Sequence, residues 1–245
     1  MIHKTKGIVL RTVKYGETSV IADIYTELFG RQSYMVNGVR TSSKKGMGKA
    51  NLFQPVAMLD LEVYHNELKN LQRIKEFRWA YLYKHIFFDV LKNSVALFMI
   101  ELLQKCLKQP EPNTELFYFA EDAFMQLDES SGVVLANYTL FFSLHVASFF
   151  GLRIDDNYSE INSVLNLREG FFVSEKPQHN HYLDGKFSFA TSQLLKAMQP
   201  SELSQIRLNK ESRKVLLEAY QTFFALHIQD FGTMRTLPVL QELLA

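Results

Sequence analysis

Nine cations crowd the first fifty residues: Lys4, Lys6, Arg11, Lys14, Arg31, Arg40, Lys44, Lys45 and Lys49. Only Glu17, Asp23 and Glu27 oppose them, an excess of +6 in a chain whose net charge is +1, so the residues beyond Ala50 carry −5. Clustered charge builds an additive surface potential, and a positive one attracts polyanions, nucleic acid foremost. Tyr15, Tyr25, Phe29, Tyr34 and Phe53 are interleaved with these cations. Single-stranded nucleic acid is held by this mixture, because cations track phosphates while aromatic faces stack on unpaired bases. The competing reading is that the aromatics fill a small core, where such rings carry much of the buried area.

The run Arg40-Thr-Ser-Ser-Lys-Lys-Gly-Met-Gly-Lys49 has four cations, no acid and no large apolar side chain except Met47. It reads as an exposed loop, and its avoidance of acids favours phosphate contact over mere solvation. Its Gly46-Met-Gly-Lys49 end resembles a phosphate-binding P-loop only superficially. Ser43 stands where the first glycine is required, and Ala50 where the motif needs Ser or Thr. Nucleotide hydrolysis therefore has no support.

Other chemistry is equally thin. His179 and His181 offer two imidazoles, but the single Cys106 excludes a multi-thiolate zinc site, and a polar loop is the simpler reading. The acid pairs Glu121-Asp122, Asp128-Glu129 and Asp155-Asp156 are adjacent in sequence, so their side chains diverge on a helix and read as surface charge. His145 sits among Phe141, Phe142, Phe149 and Phe150 as a core histidine would, and Cys106 among leucines as a small apolar residue. No nucleophile has a recognisable context, so catalytic residues are expected to be absent, as are metal ligands and cofactors.

The elements that must position these groups fall into two sets. Gly7–Val13, Ser19–Thr26, Gln32–Val36, Val56–Tyr64 and Leu68–Phe77 read as strands, with turns at Tyr15-Gly16-Glu17, Leu28-Phe29-Gly30-Arg31 and Asn37-Gly38. Five short strands with glycine-marked turns predict a closed barrel of the oligonucleotide-binding (OB) kind. After Phe77, Trp79, Leu82, Ile86 and Val90 recur at helical spacing, and Ser94–Leu107, Thr114–Leu127, Val133–Leu152 and Lys210–Phe231 read as further helices. Asn113 or Thr114 is the expected cap of the third. Residues 170–189 look strand-like, with a turn at Asp184-Gly185. Val133–Leu152 lacks Asp, Glu, Lys and Arg, yet its Asn137, Thr139, Ser143, His145 and Ser148 favour a doubly buried helix over a membrane span. The N-terminus has no apolar stretch behind its cations, so cytoplasm is the default. The expectation is an α+β, multidomain chain: an OB barrel over 1–78, then a mostly helical domain over 79–245 with a small β-like insertion near 165–190.

Gly7-Ile-Val-Leu-Arg11, Tyr15-Gly-Glu17, Thr26-Glu-Leu-Phe-Gly30 and Gly38-Val-Arg40 resemble the N-terminal block of the bacterial recombination mediator RecO. Glu101-Leu-Leu103, Glu115-Leu-Phe117 and Phe150-Gly-Leu152 fit the later part of that family. The resemblance implies an OB barrel followed by a helical domain. It further implies binding of single- and double-stranded DNA, annealing of complementary strands, and loading of RecA with RecR onto strands coated by single-stranded DNA-binding protein (SSB). That work belongs to the RecFOR pathway in nucleoid-associated cytoplasm and involves no enzymatic turnover. Many members of the family carry a four-cysteine zinc site near the insertion; this chain has no cysteine there, so no zinc is expected.

Phosphate contact is expected from Arg11, Lys14, Arg31, Arg40, Lys44, Lys45 and Lys49, and stacking from Tyr15 and Tyr34. The alternative is a protein-interaction adaptor, whose helical domain takes the acidic SSB C-terminal tail or RecR and whose DNA affinity is only nonspecific. Strand preference, the positions of the two protein contacts and oligomeric state are left open by the residues.

Overall fold

The computed structural model describes residues 1–40 and 49–243. The chain divides into two compact units, residues 1–84 with 107–125, and residues 85–106 with 126–245.

The first unit is built on a closed five-stranded barrel. Its strands are β1 (Ile2–Tyr15), β2 (Ser19–Thr26), β3 (Gly30–Val36), β4 (Met58–Tyr64) and β5 (Leu71–Tyr81), in the order β1-β2-β3-β5-β4. All pairings are antiparallel except β3 with β5. A 3₁₀ turn, Lys49–Phe53, lies between β3 and β4. This is the OB arrangement expected from the strand-like spacing.

Closure depends on β1, which is twice as long as its apolar core suggested. Its first half pairs with β4 and its second half with β2, and Gly7 and Ile8 pair with both. A strand serving two neighbours must bend, and the register shift between Val9 and Arg11 supplies the bend. Gly7 is tightly enclosed there: a Cβ would lie 2.6 Å from Ile24 Cγ2 and 2.9 Å from Leu61 Cδ1. Val9, Ala22, Ile24, Tyr34, Leu59 and Val63 are among the fully buried residues inside.

Residues 107–125 complete this unit. Leu116 N–H donates to Asn113 Oδ1 at 2.9 Å, so Asn113 caps α2 (Thr114–Glu129), as its side chain predicted. Tyr25 Oη donates to Asn113 O at 2.8 Å, and its ring lies 5.6 Å from Phe117. Lys6 Nζ meets Glu121 Oε1 at 2.8 Å, and Tyr118 Oη donates to Glu27. The hydrogen bond that Lys6 donates to Glu121 raises the pKa of the ammonium above its ordinary value. Gly30 has a φ of +62°, and a Cβ there would lie 2.2 Å from Glu111 O.

The apolar spacing at Trp79, Leu82, Ile86 and Val90 is not a helix. Trp79 pairs with Leu59 and Tyr81 with Met58, so β5 runs past Phe77. Leu82 is 66% and Val90 69% exposed, and the four residues share no buried face. The cross-strand partners offered by β4 decide this stretch over its local periodicity. α1 (Val90–Cys106) begins after Asp89, whose Oδ1 accepts from Lys92 N–H at 2.9 Å.

In the second unit α3 (Gly132–Ser148) is central, packed against α1, α4 (Gly185–Lys196), α5 (Lys210–His227) and the 3₁₀ turn Pro200–Gln205. Its uncharged composition follows from that position. Asn137 Nδ2 donates to Ile206 O at 2.7 Å, Ser143 Oγ to Thr139 O, and a His145 ring nitrogen meets Ala197 O at 2.9 Å. Among the described residues no helix is long and apolar enough to cross a membrane. Cys106 is buried and unbridged. α6 (Thr236–Leu243) is held by Glu101, whose carboxylate accepts from Arg235 N–H, Thr236 N–H and the Thr236 hydroxyl.

The insertion is a three-stranded sheet of β6 (Val164–Asn166), β7 (Phe171–Val173) and β8 (Tyr182–Leu183), in the order β7-β6-β8. Leu165, Phe172 and Leu183 are buried, and Asn157 bonds Phe172 in both directions at 2.7 and 2.8 Å. The expected turn at Asp184-Gly185 is instead the start of α4, with Asp184 in extended conformation as its N-cap. Phe187 and Phe189, which look like strand alternation, belong to the first turns of that helix.

Gly30→Ala forces a left-handed residue against the Glu111 carbonyl, and unfolding free energy should fall by about 2 kcal/mol or more in chemical denaturation. Burial holds His145 below its ordinary value of 6.5, so the unfolded chain takes its proton first. That contribution to stability is complete above 6.5 and is lost as pH falls through the folded value. The melting temperature of His145→Gln should therefore be less acid-sensitive between about pH 6.5 and 5 than that of the parent; parallel curves would refute this.

Candidate nucleic-acid interface

The β1–β2 hairpin carries three of the nine expected contact residues, Arg11, Lys14 and Tyr15. Arg11, Val13 and Tyr15 alternate along β1 in register with Asp23, Ile21 and Ser19, and the next strand continues these rows with Ser33 and Met35. Arg73 of β5 pairs with Met35. The result is an outward face carrying Arg11, a half-exposed Val13 and Tyr15, the last 50% exposed. Lys14 pairs with the buried Val20, so it belongs to the opposite side of the strand and is exposed only because the barrel ends there.

Arg40 joins this end through its backbone and side chain. Its N–H donates to Thr18 O at 2.9 Å and Nη1 to Gly16 O at 3.2 Å, bracing the turn whose Gly16 has a φ of +58°. Lys49 is exposed at the start of the 3₁₀ turn that Thr12 Oγ1 anchors by donating to Phe53 O at 2.6 Å. Lys44 and Lys45 lie outside the described residues. Among the described residues Arg11, Lys14, Arg40 and Lys49 have no carboxylate within 4.0 Å. Their charge faces solvent unneutralised.

The other N-terminal cations are engaged by acids that the sequence separates from them. Lys4 lies 3.6 Å from Glu62, and Lys6 is held by Glu121. Arg31 sits half-buried, 3.5 Å from Asp23 Oδ2, and donates from Nη1 to Leu107 O at 3.1 Å. It pairs with Tyr25, six residues along β2 from the Tyr15 pairing, a separation of roughly 20 Å. Arg31 is thus remote from Tyr15 but binds Asp23, the cross-strand partner of Arg11, and so lies next to the Arg11 end of the hairpin cluster with its charge partly compensated.

Tyr34 corrects the stacking expectation. It is 0% exposed inside the barrel, and burial pushes its phenol well above the ordinary tyrosine range. A ring enclosed on all sides offers no face to a base. Tyr25 and Phe53 are likewise core residues.

Residue spacing does not reveal a second feature of this unit. A cleft of about 640 Å³ is lined by residues of β2 and β3, the loop between β4 and β5, and the 107–112 segment. Phe29 and His65 stack there with ring centroids 3.9 Å apart and planes inclined by 12°. Lys69 and Lys108 also line it. Phe29, His65 and Lys108 are far apart in the chain, and no local pattern announces their meeting.

The chain matches two family models: Recombination protein O N terminal over residues 1–83 and Recombination protein O C terminal over residues 88–235. It is 32% identical over 243 residues to the DNA repair protein RecO of Phocaeicola vulgatus, covering 99% of both chains. Identity to the protein of the same name from Bacteroides fragilis is 32% over 246 residues, again 99% of each, and to that of Christiangramia forsetii 28% over 246 residues. With an OB barrel and a helical unit in the same order as the two matched models, the chain belongs to the RecO family.

Proposed function

We propose that this chain is a DNA-binding recombination mediator in DNA repair, working by binding rather than by covalent chemistry. The observation that carries this reading is a group of cations without a carboxylate partner among the described residues, Arg11, Lys14, Arg40 and Lys49, at the hairpin end of an OB barrel, with exposed Tyr15 among them. Lys44 and Lys45 fall between Arg40 and Lys49 in the sequence and add two cations to that stretch of chain. Cations of this kind neutralise phosphates of single and double strands alike. Two complementary strands held on one positive surface repel each other less, so annealing proceeds without fuel. Together with RecR, the protein then helps to load RecA onto SSB-coated single strands. Residues 1–78 form the DNA-binding domain in this reading, and residues 79–245 the domain that meets protein partners.

A second reading, the adaptor, is favoured by one observation in the helical unit. A cleft of about 460 Å³ is lined by Lys186, Phe189, Ala190, Gln193, Arg207 and Leu208 among others, and Phe189 is 48% exposed. Two exposed cations beside an open aromatic suit an acidic peptide with an apolar tip, the chemistry expected of the SSB tail. In the adaptor reading this cleft is the working surface and DNA affinity stays nonspecific.

Fluorescence anisotropy with a labelled single-stranded oligonucleotide at several salt concentrations tests the mediator reading. Tight, strongly salt-dependent binding, followed by annealing on addition of the complement, is the expected result. Arg11→Ala with Lys14→Ala should reduce the slope of log affinity against log salt by about 1.4, and Lys44→Ala with Lys45→Ala by a similar amount. Parent anisotropy that stays flat at low salt would transfer the lead to the adaptor. For that second reading, Lys186→Glu with Arg207→Glu should weaken an acidic, phenylalanine-ended peptide by about tenfold or more in calorimetric titration, since each contact reverses sign. Equal affinity for parent and variant would remove the cleft from consideration.

A further inference from the structure

The 640 Å³ cleft of the barrel unit has a composition unlike the hairpin patch. Its charged lining residues are Arg31, Lys69, Lys108, Asp23 and Glu67. Arg31 is already engaged by Asp23 and the Leu107 carbonyl. What faces an incoming ligand is therefore nearly balanced in charge, and a purely anionic ligand such as a bare phosphate run gains little there.

The apolar and amide groups are more telling. Phe29 and His65 stack face to face, with His3 packed edge-on to Phe29 at 5.2 Å. The ring pair is thus fixed from behind before any ligand arrives. His65 Nδ1 is buried and has no hydrogen-bond partner among the described residues. Burial, with the neighbouring His3, lowers the imidazole pKa, so at neutral pH His65 is an uncharged π surface. Pro110 and Pro112 contribute further apolar surface, and Gln32, Asn70 and Gln109 carry amide donors and acceptors. Flat apolar rings, amides able to read base edges and one or two lysines match the chemistry of a nucleotide. The volume is in the range that encloses a small organic ligand, which here means one or two nucleotides.

We infer that this cleft is a subsite for an unpaired nucleobase, stacked at the Phe29–His65 ring pair, with its phosphate directed to Lys69 and Lys108. The inference rests on the DNA-binding reading above and deepens it. A paired base cannot enter, because its faces and edges are occupied within the duplex. The hairpin patch would then supply affinity for any DNA, and the cleft the preference for single strands. Such a division lets one protein hold a duplex product loosely and an unpaired strand more tightly.

The test uses the full chain and an oligonucleotide carrying 2-aminopurine, whose emission is quenched on stacking. Parent protein should quench the probe in single-stranded but not in duplex DNA. Phe29→Leu with His65→Gln should abolish the quenching and weaken single-strand affinity about tenfold, as loss of one stacked base does. Duplex affinity and the salt slope should be unchanged, because no cation has been removed, and unchanged duplex binding also reports that the barrel has folded. Should the double variant fail to fold, photo-crosslinking of 5-iododeoxyuridine DNA to the unaltered protein gives an independent answer, with adducts expected on Phe29 or His65. Variant quenching and single-strand affinity equal to the parent's, or adducts confined to other residues, would overturn the subsite while leaving the DNA-binding reading intact. Absence of all DNA binding by the parent would overturn both.

Discussion

The double pairing of β1 is the constraint on which the barrel depends. A five-stranded sheet closes only if the two ends of its strand order pair with each other, and β1 makes that closing contact, with Gly7 and Ile8 paired to β2 on one side and β4 on the other. Bending β1 sharply enough brings the side chains of Ile24 and Leu61 to positions that a Cβ at residue 7 would contest. The same bend sends the far end of β1 outward as a hairpin. The cationic tip is thus a consequence of closure: Arg11, Lys14 and Tyr15 follow the register shift and lie where β1 has left its contact with β4.

Charge in this protein is divided by position rather than by sequence block. The N-terminal excess of cations looks uniform along the chain, yet Lys4, Lys6 and Arg31 meet Glu62, Glu121 and Asp23. Two of those acids lie beyond Ala50, and they share the job of attaching β4 and α2 to β1. Partly exposed pairs of this sort add little stability individually. Their greater effect is on the surface potential, which they cancel along one part of the barrel and leave standing at the hairpin.

The helical unit solves a different problem. Buried polar groups in an uncharged helix need partners, and in α3 the Ile206 and Ala197 carbonyls meet the Asn137 amide nitrogen and the His145 ring, while Asn137 Oδ1 and Thr139 Oγ1 find none among the described residues. The insertion at residues 164–183 is likewise held by ordinary packing. Phe172 is buried, with Tyr158 packed edge-on to its ring at 5.5 Å, and Asn157 satisfies both of its backbone groups. Buried apolar area and paired amides hold these strands together in a stretch with no cysteine.

Local pattern determined a good part of this molecule. β-branched runs, alternation and glycine-marked turns marked the five barrel strands, the absence of charge marked α3 as a buried helix, and Asn113, one of two expected caps, stands at the start of α2, because each signal arises from neighbours in the chain. Where two local patterns overlapped, tertiary partners decided. Trp79 joined a strand because β4 offered it a backbone partner, and Gly185 opened a helix whose alternating phenylalanines look like a strand. For the candidate site, residue type and charge singled out Arg11, Lys14, Tyr15, Arg40 and Lys49. The sequence could not separate Tyr15 from Tyr34, since both are tyrosines on short strands and only barrel closure turns one outward and the other inward. Nor could it bring Phe29 to His65 or Arg31 to Leu107, because those meetings follow from how distant segments pack, and side-chain chemistry alone carries no record of distance.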